Sequence, residues 1–483
     1  MKYDVVVIGS GFGGLACAQM LSKAGKNVLV LERQTQLGGC LQSYCRDGMS
    51  FDTGFHYVGG LAEGQRLNRV FSHLGLMQLP WHRLDAGGFD QVTIGNRTFS
   101  FAEGYARFVE TMTDSFPAEH EALLQYVSML QQSDQLGFAS DDVFQLYGGN
   151  AYDYLNSTFS DPLLVNVLSG TSLKMELRKE SLPLFTFAHG NSSYIQSSWR
   201  LRGDGNMIVS ALANRITGNG GDLITQKSVS EILLKDGQVS GVKCDDGSVY
   251  EADVVISDVH PDLTFNMVKE SNVLKRIFRH RMHMMENTFG MFTVSLVLKP
   301  HTLRYFNHNK FVYRKADVWD FYMRTDRVGG VMISCRVPEQ GDDAVQVDLL
   351  TPMPWSCCQP WEHTKVGRRD DDYRLMKEQM ADDCIRLAEV VMPGLSQMVS
   401  KRYTSTPLTY RDYNGTPEGS AYGVRKDCRN LVMTMLSPRT PVPGLLLTGQ
   451  HLMLHGLEGV SMTALQTCGE VLGNDYIKTI FKE

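Results

Sequence analysis

The first thirty-two residues constrain the fold more than any other stretch. Residues 2–8 (KYDVVVI) form an apolar, β-branched run of strand length. They lead into Gly9-Ser-Gly11-Phe12-Gly13-Gly14, then into residues 15–24, a helix-length segment stopped by Gly25. A second apolar run, residues 27–31, ends at Glu32. Strand, glycine turn, helix, strand and acid in this order make a dinucleotide fingerprint, which a lone glycine motif would not. Gly9 permits the tight turn, Gly11 lets backbone approach a pyrophosphate, and Gly14 lets the helix lie close to the strand. The helix N-terminus, with Phe12 and Gly13 in its first turn, offers unpaired N–H groups and a positive dipole end to the phosphates. Glu32, 18 residues after Gly14, can accept both ribose hydroxyls, with Arg33 beside it.

Length and composition then remove alternatives. A chain of 483 residues has room for about three domains. The 47 basic and 53 acidic residues are interspersed, for a net charge of -6, so no nucleic-acid surface is expected. No apolar run is long enough to span a bilayer. The first strand starts almost at Met1, so neither a signal nor a transit peptide is expected, and the expected location is cytoplasmic. The ten cysteines include no C-x-x-C pair and are expected as free thiols, with the vicinal Cys357-Cys358 in a packed loop. The 13 histidines show no metal-ligand spacing, so no metal is expected.

Beyond Glu32, Gly38-Gly39 offers a second bare stretch of backbone for the cofactor. Residues 47–60 form a hairpin-like piece containing Phe51-Asp-Thr-Gly54-x-His56-Tyr57. Glu32, Gly38-Gly39 and Phe51 to His56 together resemble the FAD-dependent phytoene desaturase family, and within it the retinol saturase branch. The resemblance implies that the fingerprint binds the ADP half of FAD, where spacing alone would allow NAD. It also implies contacts from Gly54, His56 and Tyr57, and adenine contact from the backbone of Val229.

Residues 61–190 change character. Residues 67–76 and 104–132 look helical, with Pro117 splitting the second stretch and Asp114 or Ser115 near the cap of the helix that follows. Phe108, Met112, Phe116, Leu123, Leu124, Tyr126, Val127 and Leu130 recur near helical spacing, as core or as the lining of an apolar tunnel. Residues 147–168 also look mostly helical. Residues 203–215 form a glycine turn into an amphipathic helix that ends at Gly218-Asn-Gly-Gly221. Strands are expected at 222–225, 229–234, 239–244, 248–251 and 252–258, then at 293–298, 330–334 and 345–350, with a helix at 373–392. Near the C-terminus an apolar run reaches Thr448-Gly449-Gln450-His451, followed by a glycine loop and a helix from about Val460. A helix starting near Gly459 aims its N–H groups at an anion. In the family this position faces the flavin pyrimidine, which implicates Gly449, Gln450, Glu458, Gly459 and Val460. Relatives often carry Asp where Gln450-His451 stands.

The expected architecture is therefore α/β: a Rossmann-like, glutathione-reductase-like FAD-binding domain (1–75, 190–262 and 426–483) with a mixed α+β substrate domain (76–189 and 263–425), both discontinuous. The resemblance implies hydride exchange with carbon–carbon double bonds of an isoprenoid lipid, saturating, desaturating or isomerising it. His56, Tyr57, Tyr413, His455 and Glu458 are the candidate proton-handling groups. No second nucleotide motif is present, so NAD(P)H, if it is the electron donor, shares the substrate opening. Two alternatives share the fold: a flavin amine oxidase-like enzyme, and a non-enzymatic prenyl-lipid-binding protein like the Rab GDP dissociation inhibitors, whose nucleotide site is degenerate. A lipid substrate suggests peripheral membrane contact, expected at an apolar patch in the 100–190 region.

Overall fold

The computed structural model describes residues 2–135, 148–323 and 327–481. The fingerprint run becomes strand Lys2–Ile8, buried on both faces from Val5 onward, at the centre of a seven-stranded sheet. Strand Val28–Leu31 lies parallel on one side, with Asp222–Ile224 beyond it. On the other side lies Val249–Ser257, also parallel to the first strand. The helix between the first two strands, Phe12–Lys23, is buried almost all round, as its uniformly apolar sequence requires. Helices Gly456–Leu472 and Asn206–Gly218 pack against it.

Residues 249–257 form one strand where two are expected. No turn residue interrupts it, and its two halves pair differently along one edge. Gly241 to Lys243 pair antiparallel with its first half, whereas Leu445–Leu447 pairs parallel with its second. The alternating first half is a meander edge; the uniformly apolar second half is parallel core.

The second seven-stranded sheet runs 399–405, 290–298, 346–353, 330–335, 309–313, 90–94 and 97–101 in spatial order. Its strands alternate. Val294, Val331, Ile333 and Leu349 pack with Ala381, Cys384 and Ile385 of helix Asp371–Ala388. The intervening Met332 and Leu350 face the other way. The hairpin Asp90–Ile94/Arg97–Phe101 lies between the expected helices at 67–76 and 104–132, in a stretch that sequence reading left unassigned. Its signal is a two-residue Gly95-Asn96 turn between alternating runs, with Gly95 at φ +63°. Strand Asn309–Tyr313, missed as well, pairs parallel with it.

Helices Arg66–Leu74, Tyr105–Ser115, His120–Gln135, Ala151–Thr158, Pro162–Ser169 and Leu184–Gln196 build the remaining wall. Pro117 does split the expected long helix, but a single 3-10 turn, Pro117–Glu119, leads into the second helix in place of an Asp114 or Ser115 cap. Asn150 and Asp161 cap the next two helices with their side chains. Tyr147, the start of the expected helical region, lies outside the described residues. Phe108, Met112, Phe116, Leu123, Tyr126, Val127 and Leu130 are core, Leu124 faces outward instead, and none of them lines the central cavity, which settles the tunnel alternative against them. All ten cysteines are free.

One polar cluster ties the second sheet to the hairpin Ser43–Arg46/Met49–Asp52 and to the turn before helix Asn206–Gly218. Asp52 accepts from the Gly205 amide at 2.7 Å, and Asp204 accepts from Ser50 at 2.6 Å. Arg336 approaches Asp52 and Asp204 at 4.0 and 3.7 Å. Burial pushes the Asp52 carboxyl up to about 7; Arg336 and the Gly205 amide pull it down, and Asp348 and Asp204 push it further up. A carboxyl that holds its proton longer folded than unfolded loses stability as pH rises from about 4 to about 7. Asp52→Asn removes that loss. Compared with the parent, the variant is expected to gain roughly 3 kcal/mol between pH 5 and pH 8, measured by urea unfolding at both values.

Candidate active site

The carboxyl ends of the parallel strands converge on one cavity of about 550 Å³. Ile8-Gly9, Leu31-Glu32, Asp258 and Gly449 all line it, each just at or beyond a strand end. That is where a doubly wound sheet binds its ligand, at the point where strand order reverses. Of the residues expected to hold the cofactor, Gly9, Gly11, Phe12, Gly13, Glu32, Arg33, Gly38, Gly39, Gly54, His56, Tyr57, Val229, Gly449, Gln450, Glu458, Gly459 and Val460 line this cavity. Gly14 sits behind the wall, where a Cβ would run into the Gly9 carbonyl oxygen. Its role is helix-to-strand packing.

The cradle is specific in its details. Glu32 is buried and fixed: Oε2 accepts from the Ser10 amide at 3.0 Å and the Ser10 hydroxyl at 2.6 Å, and Oε1 accepts from the Gln34 amide at 2.8 Å. Gly38, at φ +119°, donates its amide to the Ser10 carbonyl at 3.0 Å, which holds the second glycine pair against the first turn. A Cβ on Gly13 would stand 2.7 Å from Asp258 Oδ1 and 2.9 Å from Gly449 N; one on Gly11 or Gly449 would collide with the Asp258 carboxylate. Sequence reading missed Asp258 as a site residue, although it ends the strand paired with the fingerprint strand. Burial pushes its carboxyl up to about 7, while the Gly14 amide lowers it and Glu32 raises it. A protonated Asp258 can donate to a phosphate oxygen.

The C-terminal loop closes the other side. Gly449, at φ +90°, turns the chain out of its strand. Gln450 lines the cavity, and His451 turns inward to meet His260 edge-on at 4.9 Å. This is how the chain uses the pair that stands where relatives often have Asp. The buried Lys426 donates to the carbonyls of Thr434, His451 and Leu452 at 2.9, 2.7 and 2.9 Å and so fixes the loop. The helix beyond it begins at Gly456, one turn before the expected start, because His455 is extended and Gly456 supplies a positive φ. Its free N–H groups therefore belong to Gly456, Leu457 and Glu458.

One end of the cavity gathers titratable groups. His455 Nε2 lies 2.6 Å from the Lys174 carbonyl, so that nitrogen carries the proton and Nδ1 is the free acceptor. The Tyr422 ring lies tilted against His455, with centroids 4.5 Å apart. Tyr57 donates to Asp90 at 3.0 Å, and its ring meets Tyr194 at 4.6 Å. Asn309 donates to the other Asp90 oxygen at 2.8 Å and accepts from Arg200 at 2.6 Å. Lys174 places Nζ 4.1 Å from the Tyr194 ring centroid, and among the described residues it makes no hydrogen bond. Burial lowers its pKa to about 8 against the pull of Asp90. Burial likewise raises Glu458 to about 7 and lowers His56 and His455 to about 4. Both histidines are thus neutral at pH 7, and the Tyr57 proton is held by Asp90. Tyr413 lines the cavity elsewhere, half exposed, two residues from Gly415, which packs on Arg33. Lys174 and Tyr194 were missed in sequence, where each stands among other polar residues and nothing in the spacing singles it out.

Another part of the wall is apolar. Phe311, Met332 and Leu350 stand directly across from one another on adjacent strands, and Met291, two residues before the Thr293 that faces Leu350, adds to the lining.

A family model described as flavin containing amine oxidoreductase matches residues 12–263, more than half of the chain. The chain belongs to that family. Its cofactor is FAD, since the fingerprint calls for an ADP half beside the flavin. The residues fit the group. Gly9, Gly11, Gly13, Gly38, Gly39 and Gly449 line the cavity with bare backbone, and His56 Nε2 and His451 Nδ1 are buried cavity-wall atoms that make no hydrogen bond among the described residues. The all-trans-retinol 13,14-reductase of Macaca fascicularis is 27% identical, covering 98% of this chain and 86% of that protein. A chloroplastic prolycopene isomerase of Arabidopsis thaliana is 24% identical over 87% of this chain and 74% of that one. These relatives match the resemblance read from Glu32, Gly38-Gly39 and Phe51 to His56. The solved cyclohexylamine oxidase of Brevibacterium oxydans shares the fold at TM-score 0.60 and 15% identity, over 100% of this chain and 99% of that one. An intact cradle in a flavin family sets aside the reading as a flavin-free prenyl-lipid binder. No described helix is long and apolar enough to cross a membrane.

Proposed function

We propose that this protein is an FAD-dependent oxidoreductase that acts on a carbon–carbon double bond of an isoprenoid lipid, with Lys174 as the proton-handling group. The observation that carries the reading is the pairing of an apolar wall, Phe311, Met332 and Leu350, with a lysine side chain whose Nζ makes no hydrogen bond among the described residues, in one cavity. Bound FAD supplies or accepts a hydride. The apolar row holds a polyene and excludes water from it. In the saturating direction the Lys174 ammonium delivers a proton to the second alkene carbon, and in the desaturating direction the neutral amine removes one. Asp90, itself pinned by Tyr57 and Asn309, balances the ammonium charge in the apolar surroundings. His455 and Tyr422 shape this end of the cavity, and the His455 Nδ1 is an acceptor only. Resemblance to amine oxidases at 15% identity speaks for the fold and not for an amine substrate.

The test begins with the flavoprotein photoreduced without oxygen. Added all-trans-retinol or another conjugated isoprenoid is expected to restore the oxidised flavin absorbance as the double bond is saturated. Bleaching of the oxidised protein by phytoene marks the reverse direction. If alkylamines bleach the oxidised protein and polyenes change neither form, the reading fails.

A further inference from the structure

We propose that helix Arg276–His283, with the adjoining turn at Val432-Met433, is the surface on which this protein docks to an anionic lipid bilayer. The helix buries one side: Met282 is in the core, and the Phe278 ring meets Phe265 of helix Pro261–Met267 edge-on at 4.9 Å. The outward side is not polar. Ile277 is 77% exposed and Met284 is 64% exposed, with His280 and Arg281 between them at helical spacing. Arg281 donates to the Met433 carbonyl at 2.9 Å and reaches that of Val432 at 3.4 Å, which ties the turn to the helix. Val432 and Met433, at 74% and 46% exposure, extend the same patch. Single exposed apolar side chains are ordinary, but a contiguous set on an outward helix face marks an interaction site.

Charge selects the partner. Residues 268–285 hold Lys269, Lys275, Arg276, Arg279 and Arg281 against the single acid Glu270, in a chain of net charge -6. Arg279 turns inward onto the Phe265 and Val268 carbonyls, and Lys269 pairs with Glu231 at 3.6 Å. Lys275 and Arg276 are exposed at the start of the helix, with no carboxylate paired to them among the described residues. A few flexible apolar side chains ringed by cations suit shallow insertion at a headgroup layer. A stable protein interface needs about 800 Å² per partner with a larger buried centre. The neighbouring helix Pro261–Met267 also carries Leu263, which is partly exposed and lines the cavity, so the patch adjoins a cavity wall. The expected contact region at residues 100–190 offers only Leu124 as an exposed large apolar side chain among the described residues. The docking inference gives the proposed lipid substrate a source but does not depend on that reading.

The flavin-loaded protein is expected to co-sediment with vesicles of phosphatidylcholine plus phosphatidylserine, weakly with phosphatidylcholine alone, and less at high salt. Ile277→Ser with Met284→Ser, and separately Lys275→Glu with Arg276→Glu, are each expected to weaken vesicle binding about tenfold or more. Both variants keep the flavin spectrum, the melting temperature and the rate on detergent-dispersed substrate. Vesicle binding unchanged by both pairs, or equal on the two vesicle types, overturns the proposal. So does light scattering that finds a dimer lost in the Ile277→Ser variant, because the patch then joins two copies of the chain. Loss of turnover on every substrate with vesicle binding intact would instead count against the catalytic reading alone.

Discussion

Lys174→Met is expected to lower turnover by about 10²–10⁴-fold, the usual loss when a positioned general acid or base is removed. The flavin spectrum and the apparent substrate affinity stay close to the parent's, since the side chain gives way to one of similar length in an apolar wall. The pH profile identifies the role. With burial holding Lys174 near 8, saturation of a double bond falls as pH rises through about 8, because the ammonium is lost. Desaturation runs the other way and rises through the same value, because it needs the neutral amine. Both limbs vanish in Lys174→Met. Stopped-flow reoxidation of reduced flavin by the polyene, recorded from pH 6 to 10, reads all of this. If Glu458→Gln causes the larger loss and the surviving limb lies near 7, the proton belongs to Glu458, the other cavity group that burial brings close to neutrality.

Gly13→Val is expected to yield protein that purifies without flavin and binds added FAD at least about 100-fold more weakly. The new side chain would begin 2.7 Å from Asp258 Oδ1 and 2.9 Å from Gly449 N, where backbone and a strand-end carboxylate leave no space. It would push away a pyrophosphate whose charge-assisted hydrogen bonds are worth about 1.5–3 kcal/mol each. Visible absorbance per protein and titration of the apoprotein measure the loss. Glu32→Gln keeps the Ser10 and Gln34 contacts in part and is the milder control.

Several features were readable because they are local. The fingerprint needs only thirty-two contiguous residues, and each has a backbone reason: Gly9 a positive φ, Gly14 a carbonyl too close for a Cβ, Glu32 a strand end. Other features were present in sequence but not recognised. The Gly95-Asn96 hairpin lay between two helical stretches, and its short alternating runs were left unassigned there. The strand 249–257 looked like two because its pattern changes midway, and that change reports a switch of partners along one continuous strand.

The sequence by itself determined that this chain carries a dinucleotide fingerprint and, through its resemblance, that the cofactor is FAD. Turn, helix start and acid are set by short-range sterics and hydrogen bonding, which a linear pattern carries intact. Only the tertiary structure decided which titratable groups gather at one end of the cavity. Lys174, Tyr194, Asp90, Asn309 and Arg200 come from separate helices and strands, and their pKa shifts come from burial and neighbours that no spacing encodes. The apolar row of Phe311, Met332 and Leu350 exists only once strand register aligns them. The outward stripe of Ile277, Met284, Val432 and Met433 likewise needs a fold, because exposure is a property of what packs around a residue and not of the residue.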